Sequence, residues 1–266
     1  MDERSLLCAV EDRVAVIRLN RPKTLNALTP DLLDGLRRAI EGYAADDAVG
    51  AILLTGEGRG FSSGADLIAN AAQPPRDAEG RLDLGHALEA CYNPLVLQMR
   101  TCPKPIIAAV NGMAAGAGAS LALMADLTLA ARSAYFLQAF VHIGLIPDAG
   151  ATWILPRLVG AQRAMGLALL GERLSAQDAK DWGLIWDVVD DEQLLPTALA
   201  LARRLASGPG LAIARIKRAL QAALGNDLTV QLQLEAELQR ECGRTQDFIE
   251  GAAAFVQKRP PRFRNR

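Results

Sequence analysis

Two stretches of the chain follow one plan. ILLTGEGRGFSSGADL (Ile52–Leu67) and IIAAVNGMAAGAGASL (Ile106–Leu121) each begin as a short apolar strand and run directly into a glycine-rich turn. A strand with no polar alternation must be covered on both faces, so such strands belong inside a sheet flanked by other layers. The glycines let the main chain approach a neighbour or an anion closely. Tight helix packing uses glycine-alanine turns as readily, and the two uses are not separated by the turns alone.

The rest of the chain fits an α/β architecture. Leu6–Val10 and Val14–Leu19 form a hairpin of short strands around Glu11-Asp12-Arg13, and Pro22 stops the second. Thr29 before Pro30 is an N-cap followed by proline at the first helical position. The helix Asp31–Ala45 that follows carries Leu32, Leu33, Leu36 and Ile40 at helical spacing. Strands are expected at Ala51–Thr55, Ile106–Val110 and Leu127–Ala131, and helices at Leu88–Arg100 and Ala119–Met124. The polar stretch Asn70–Gly85, with Pro74-Pro75, is expected to be a mobile loop or lid. From Ala161 the pattern is helical, with segments near 161–170, 175–182, 193–207, 209–223, 228–242 and 245–257. The expected organisation is an α/β core over 1–197 and a helical region over 198–266.

Bulk properties exclude several classes. A net charge of −1 over 266 residues argues against a nucleic-acid binder. The apolar run Ile106–Ala125 contains Asn111 and three glycines and reads as core, not as a membrane span. MDERSLLCAV has no leader pattern, and the scattered Cys8, Cys91, Cys102 and Cys242 have no metal or redox spacing, so a cytoplasmic protein with free thiols is expected. The basic end from Lys258 to Arg266 reads as a solvated, partly disordered tail.

Spacing tests the nucleotide alternatives. Phe61 stands where the first turn would need the third glycine of G-x-G-x-x-G, and Leu121 stands there in the second. Neither turn continues into G-K-[ST]. No Ser-His-Asp spacing or metal-ligand cluster is visible.

The segments RPKTLNAL (Arg21–Leu28), GRGFSSGADL (Gly58–Leu67), KPIIAAVNGMAAGAGASLALMADL (Lys104–Leu127), GLIPDAGATWILPRLVG (Gly144–Gly160), AKDWGLIWDVV (Ala179–Val189) and FVQKRPPRF (Phe255–Phe263) resemble, in order and spacing, the crotonase (enoyl-CoA hydratase/isomerase) superfamily. The resemblance covers nearly the whole chain. YNPLV (Tyr92–Val96), AAGAGASLAL, AARSAYF, GLIPDAGATW and RAMGLALLG bring it nearest to isomerases of ring-1,2-epoxyphenylacetyl-CoA. It implies a spiral of ββα turns with a helical C-terminal trimerisation region. It also implies an oxyanion hole from the backbone N–H groups of Ala65 and Ala117, aided by the helix start after Gly116. Coenzyme A would enter as part of the substrate, with no separate cofactor. The implied partners are copies of the chain in a homotrimer or a hexamer of paired trimers, and a paralogous hydratase, with no nucleic acid and no membrane.

Hydratases of the superfamily use two glutamates. At those motif positions this chain has Ser120 and Phe140, neither able to act as a carboxylate base. Asp148 in IPDAG remains, at the position where several isomerases of the superfamily keep their catalytic acid/base. An aspartate beside proline and glycine is, outside that frame, a turn residue. Inside it, with Leu145, Ile146 and Trp153 as apolar neighbours, Asp148 is the expected proton carrier. Substrate or coenzyme A contacts are implied for Lys23, Leu25, Ser63, Asp66, Leu67 and Lys258, with Asp66 ordering the first turn. His142 is expected to be structural or substrate-lining, His86 exposed, and Asp126 a pin for the central helix. The implied activity is isomerisation of ring-1,2-epoxyphenylacetyl-CoA to its oxepin form, or of 3-enoyl-CoA to 2-enoyl-CoA. The alternatives are a non-catalytic coenzyme A-binding subunit of a hydratase complex, attack of Asp148 on an aryl-CoA ring, and another reaction of this superfamily such as hydration.

Overall fold

The computed structural model describes residues 5–67 and 75–264. Its centre is a six-stranded sheet of β1 (Leu6–Glu11), β2 (Val14–Leu19), β3 (Ala51–Gly56), β5 (Ile106–Val110), β7 (Leu127–Ala131) and β10 (Asp187–Val189), in that spatial order. Only β1 runs antiparallel to its neighbour, as a hairpin must; the other pairs are parallel. Every residue of β3 and β5 is buried, which is why these strands read as continuous apolar runs.

A second sheet of four three-residue strands lies beyond the C-terminal ends of the first: β4 (Gly60–Ser62), β6 (Met113–Ala115), β8 (Tyr135–Leu137) and β9 (Arg173–Ser175). Each of β3, β5 and β7 leads within a few residues into β4, β6 and β8 respectively, so one strand pair is laid down three times. From sequence alone Gly56–Gly64 and Gly112–Gly118 read as turns throughout. Three-residue strands carry no measurable period, and two of these contain glycine or alanine where β-branched residues would mark a strand.

Helices cover both faces. Thr29 caps α1 (Pro30–Ala45), accepting from Leu32 N–H at 3.3 Å, and Leu32, Leu33, Leu36 and Ile40 pack into the core as their spacing requires. The next helical segment starts at Leu84, passes through a π-helical turn at Leu88–Tyr92, and continues as α2 (Asn93–Thr101). α3 (Ala117–Leu123) is wholly buried. α4 spans Ala151–Leu170 and bends at Gly160, whose φ of 77° is not helical; Pro156 and Gly160 hid its first half from the expected start at 161. α5 (Ala176–Asp181) leads to α6 (Leu194–Ala206), whose Ala198, Ala202 and Ala206, spaced four apart, bury a stripe of small side chains. There the backbone comes so close that a Cβ at Gly50 would lie 2.5 Å from Ala206 O. The expected division at 197/198 falls inside α6.

α7 (Gly210–Ala223), α8 (Leu228–Gly243) and α9 (Gln246–Val256) complete the chain. Two expectations change here. The tail to Arg264 is exposed but tethered, since Arg259 pairs with Glu250 at 2.7 Å and the backbone amides of Arg262 and Arg264 donate to Glu250 and Asp247. The Arg259 side-chain hydrogen bond holds the Glu250 carboxyl down to about 2. The expected lid is in part a tight turn: Asp77 Oδ1 accepts from the amides of Glu79 and Arg81 at 3.0 and 2.8 Å, and Arg76 bridges Leu82. Residues 70–74 of that lid lie outside the described residues.

Candidate active site

Two left-handed residues build the first turn. Leu25 and Asn26 have φ of 52° and 56°, and the fully buried Asn26 amide holds them by donating to Glu57 O and Gly60 O at 3.0 and 2.8 Å. Its Oδ1 accepts from Arg21 N–H at 2.8 Å. The 21–28 loop is then stitched to the 62–66 turn: Ser62 Oγ donates to Asn26 O, Ser63 N–H to Leu25 O, Leu28 N–H to Gly64 O, and Asp66 N–H to Leu28 O, all within 2.9 Å. This pairing uses the Ser63 and Asp66 amides and leaves the Ala65 N–H outside it. Arg21 anchors the far side, 2.9 Å from Asp66 Oδ2.

The second turn meets the first through glycine. Gly116 (φ 51°, ψ −129°) donates to Leu137 O at 2.8 Å and starts α3, so Ala117 is its first helical residue and its N–H has no intrahelical acceptor. Ala117 itself avoids the left-handed region, as a usable alanine amide there requires. Gly64 has φ of 90°, and a Cβ on it would sit 2.8 Å from Ala115 O and 3.4 Å from Ala117 N. A Cβ on Gly118 would strike Ser62 at 2.6 Å. Side chains at either position would push the two turns apart.

No carboxylate flanks the second turn at the two positions the sequence singled out. Ser120 is fully buried and donates to Gly116 O at 3.2 Å, a bond within its own helix. The Phe140 ring edge lies 3.8 Å from where a Gly116 Cβ would be. Asp148 sits just before α4, with Ala149 (φ 49°) and Gly150 (φ 81°) both left-handed behind it. A Cβ on Gly150 would collide with Met124 Cε, so the turn is pressed against the end of α3. Asp148 Oδ1 is buried without a hydrogen-bond partner, and burial pushes its carboxyl up to about 6. Of the apolar neighbours expected from sequence, Leu145, Ile146 and Trp153 are 37%, 77% and 38% exposed.

The other expected residues divide. Leu25, Ser63 and Asp66 belong to the stitched first turn, Lys23 is exposed on the 3-10 turn Pro22–Thr24 beside it, and Leu67 is exposed just after it. Lys258 is exposed at the end of α9 with φ of 53°, on the opposite end of the chain. His142 has a structural bond, its Nε2 lying 2.8 Å from Gly171 O, and His86 is exposed. Asp126 pins the start of β5 rather than the central helix: its Oδ2 accepts from Ile106 N–H at 2.8 Å and pairs with Lys217 at 2.6 Å. Sequence reasoning missed Tyr92 and Gln138, both buried, each with a side-chain oxygen lacking a partner. Tyr92 lies within YNPLV, but nothing in its helical spacing distinguishes it from a core aromatic. Among the described residues no group of three His, Cys, Asp or Glu side chains forms a metal site, and no helix is long and apolar enough to cross a membrane.

A strand pair and helix are laid down repeatedly around the two glycine turns, and the enoyl-CoA hydratase/isomerase profile matches residues 9–266. The chain belongs to that family, the crotonase superfamily, and has its ββα-repeat fold with a helical C-terminal region. It is 49% identical over 258 residues to the 1,2-epoxyphenylacetyl-CoA isomerase of Escherichia coli (strain K12), covering 97% of each chain. It is 47% identical over 266 residues to the probable enoyl-CoA hydratase of Rhodobacter capsulatus, covering all of both. The crystal structure of an enoyl-CoA hydratase from Bacillus anthracis superposes with a TM-score of 0.92 at 32% identity, over 99% of this chain and 100% of that one.

Proposed function

We propose that the protein is an acyl-CoA isomerase in which Ala65 and Ala117 N–H groups hold the thioester oxygen while Asp148 carries one proton between two carbons of the acyl group. The observation that carries this reading is the state of Asp148: half-buried, with Oδ1 wholly enclosed and unpartnered, and raised to about 6. A carboxyl so placed is ionised at neutral pH yet close enough to it to give the proton back. Removing a proton next to the thioester carbonyl develops charge on its oxygen, and two fixed amides stabilise that charge by roughly 3–4 kcal/mol each in the transition state.

Hydration is the less favoured chemistry. Adding water takes one carboxylate to activate it and a second to deliver a proton, and Ser120 and Phe140 offer neither. Asp66 is engaged by Arg21. By similarity to the E. coli isomerase, the substrate is ring-1,2-epoxyphenylacetyl-CoA, converted to its oxepin isomer, and the same groups can move a 3-enoyl double bond to the 2-position. Lys23, Leu25, Ser63, Asp66, Leu67 and Lys258 are proposed to border the substrate or its coenzyme A, Lys258 reaching a neighbouring subunit's site in a trimer or hexamer. Cytoplasm is the proposed location.

Asp148→Asn tests the reading. It keeps the shape and removes the base, so turnover of both thioesters is expected to fall at least a thousandfold with acyl-CoA affinity within about threefold of the parent. Full turnover by the variant would end the assignment. Affinity for acyl-CoA with no turnover of either thioester by the parent protein would favour a binding subunit instead.

A further inference from the structure

Among the described residues, three side chains carry a buried polar atom with no hydrogen-bond partner: Tyr92, Gln138 and Asp148. Two of them are complementary. Tyr92 offers an O–H donor and Asp148 Oδ1 is an acceptor. Leaving either unsatisfied away from water is costly, and a hydrogen bond to an ionised partner is among the stronger ones. We propose, on the reading that Asp148 is the proton carrier, that Tyr92 is its positioning residue: in the acyl-CoA complex the phenol O–H donates to Oδ1 and leaves Oδ2 to the substrate carbon.

The fold supports the pairing from both sides. Tyr92 is 5% exposed and ends the π-helical turn Leu88–Tyr92, where one extra residue in the helix resets which side chains face inward. Asp148 is held by the left-handed pair Ala149-Gly150, and Gly150 packs against Val96 Cγ1 of α2, a turn beyond Tyr92. Burial and then the Asp148 charge raise the phenol, so it stays a donor across the working pH range. The other titratable groups acting on it are Cys91 on the same turn and Asp66, which Arg21 engages. The cations on the packed helices, Arg100 and Arg157, lie over the Trp153 ring. Catalytic hydrogen bonds are often open before substrate binds and close in the complex, so two unpaired complementary groups are the expected resting state.

The test is the pH dependence of kcat for 3-enoyl-CoA isomerisation by the full-length protein and by Tyr92→Phe, with Asp148→Asn alongside. The acid limb of kcat reports the base in the substrate complex. A hydrogen bond from Tyr92 to the ionised carboxyl is expected to bring that limb about one pH unit below the value of about 6 that burial alone gives, and Tyr92→Phe should move it back up. Below the limb the variant's kcat should fall about tenfold with KM unchanged, while its thermal midpoint stays at or above the parent's. An unmoved limb in Tyr92→Phe, whatever the rate, overturns the pairing and leaves Asp148 in place if Asp148→Asn is inactive. An active Asp148→Asn overturns both.

Discussion

Asp148 costs the fold something that its proposed chemistry needs. A carboxyl raised to about 6 binds more protons folded than unfolded as pH climbs from the ordinary carboxylate range, so folded stability falls over that window. The penalty is absent below about pH 4, grows between about 4 and 6, and is fully present above 6. It reaches at most about 3 kcal/mol, since each tenfold change in proton affinity is worth about 1.4 kcal/mol. Asp148→Asn removes the titration. The variant is therefore expected to unfold at higher temperature than the parent at pH 7.5, with the gap closing as the pH is lowered to 4. Calorimetry at the two pH values checks this, and equal midpoints at pH 7.5 would mean that Asp148 is not desolvated. The sequence singled out this residue through its motif, but not the elements that meet beside it. Met124, against which the Gly150 turn is pressed, comes from the end of another helix, and adjacency of that kind has no local signal.

At the scale of elements, the two glycine turns are where the sequence spoke most clearly and where the structure adds the reason. Their composition suggested close approach, and Gly64 and Gly118 are the contact points between them. The short strands β4, β6, β8 and β9 went unread because hydrogen bonding to neighbours, not a period of their own, defines them. α4 was half-read for the opposite reason: proline and glycine punctuate it without ending it. One substitution separates the amide of the second turn from the fold around it. Proline is tolerated at the first position of a helix, where its missing N–H has no helical acceptor to lose. Ala117 occupies that position in α3. Ala117→Pro is expected to fold, shown by an unchanged circular dichroism spectrum, while kcat falls a hundredfold or more through loss of one donor to the thioester oxygen. Activity within threefold of the parent would mean that the amide is not used.

At the scale of the whole molecule, the last helices leave many large apolar side chains exposed. Ile216, Leu220 and Leu224 on or beside α7, Leu228 and Leu232 on α8, and Phe248, Ile249, Phe255 and Val256 on α9 are all exposed, Phe255 at 86%. Met165, Leu169 and Leu170 add to them from the second half of α4. Exposure on that scale in three successive helices is what an interface between copies of the chain would cover. The helical periodicity of this region was legible in the sequence; which face each helix turns inward was not, because α7 has no fully buried residue to fix it. The tail, tied to Glu250 and Asp247, lies next to the same face. The family resemblance implies a trimer or a hexamer of paired trimers, and sedimentation is expected to give three or six times the chain mass at micromolar concentration. Phe255→Glu with Val256→Glu places two charges on the most exposed part of the surface, and should lower the mass toward that of a single chain while the far-ultraviolet spectrum keeps its helical content. If the Lys258 side chain reaches a neighbour's coenzyme A, the dissociated variant should also bind acyl-CoA more weakly, by about tenfold, with Asp148 untouched. Trimers that persist at micromolar concentration in this variant would move the interface elsewhere.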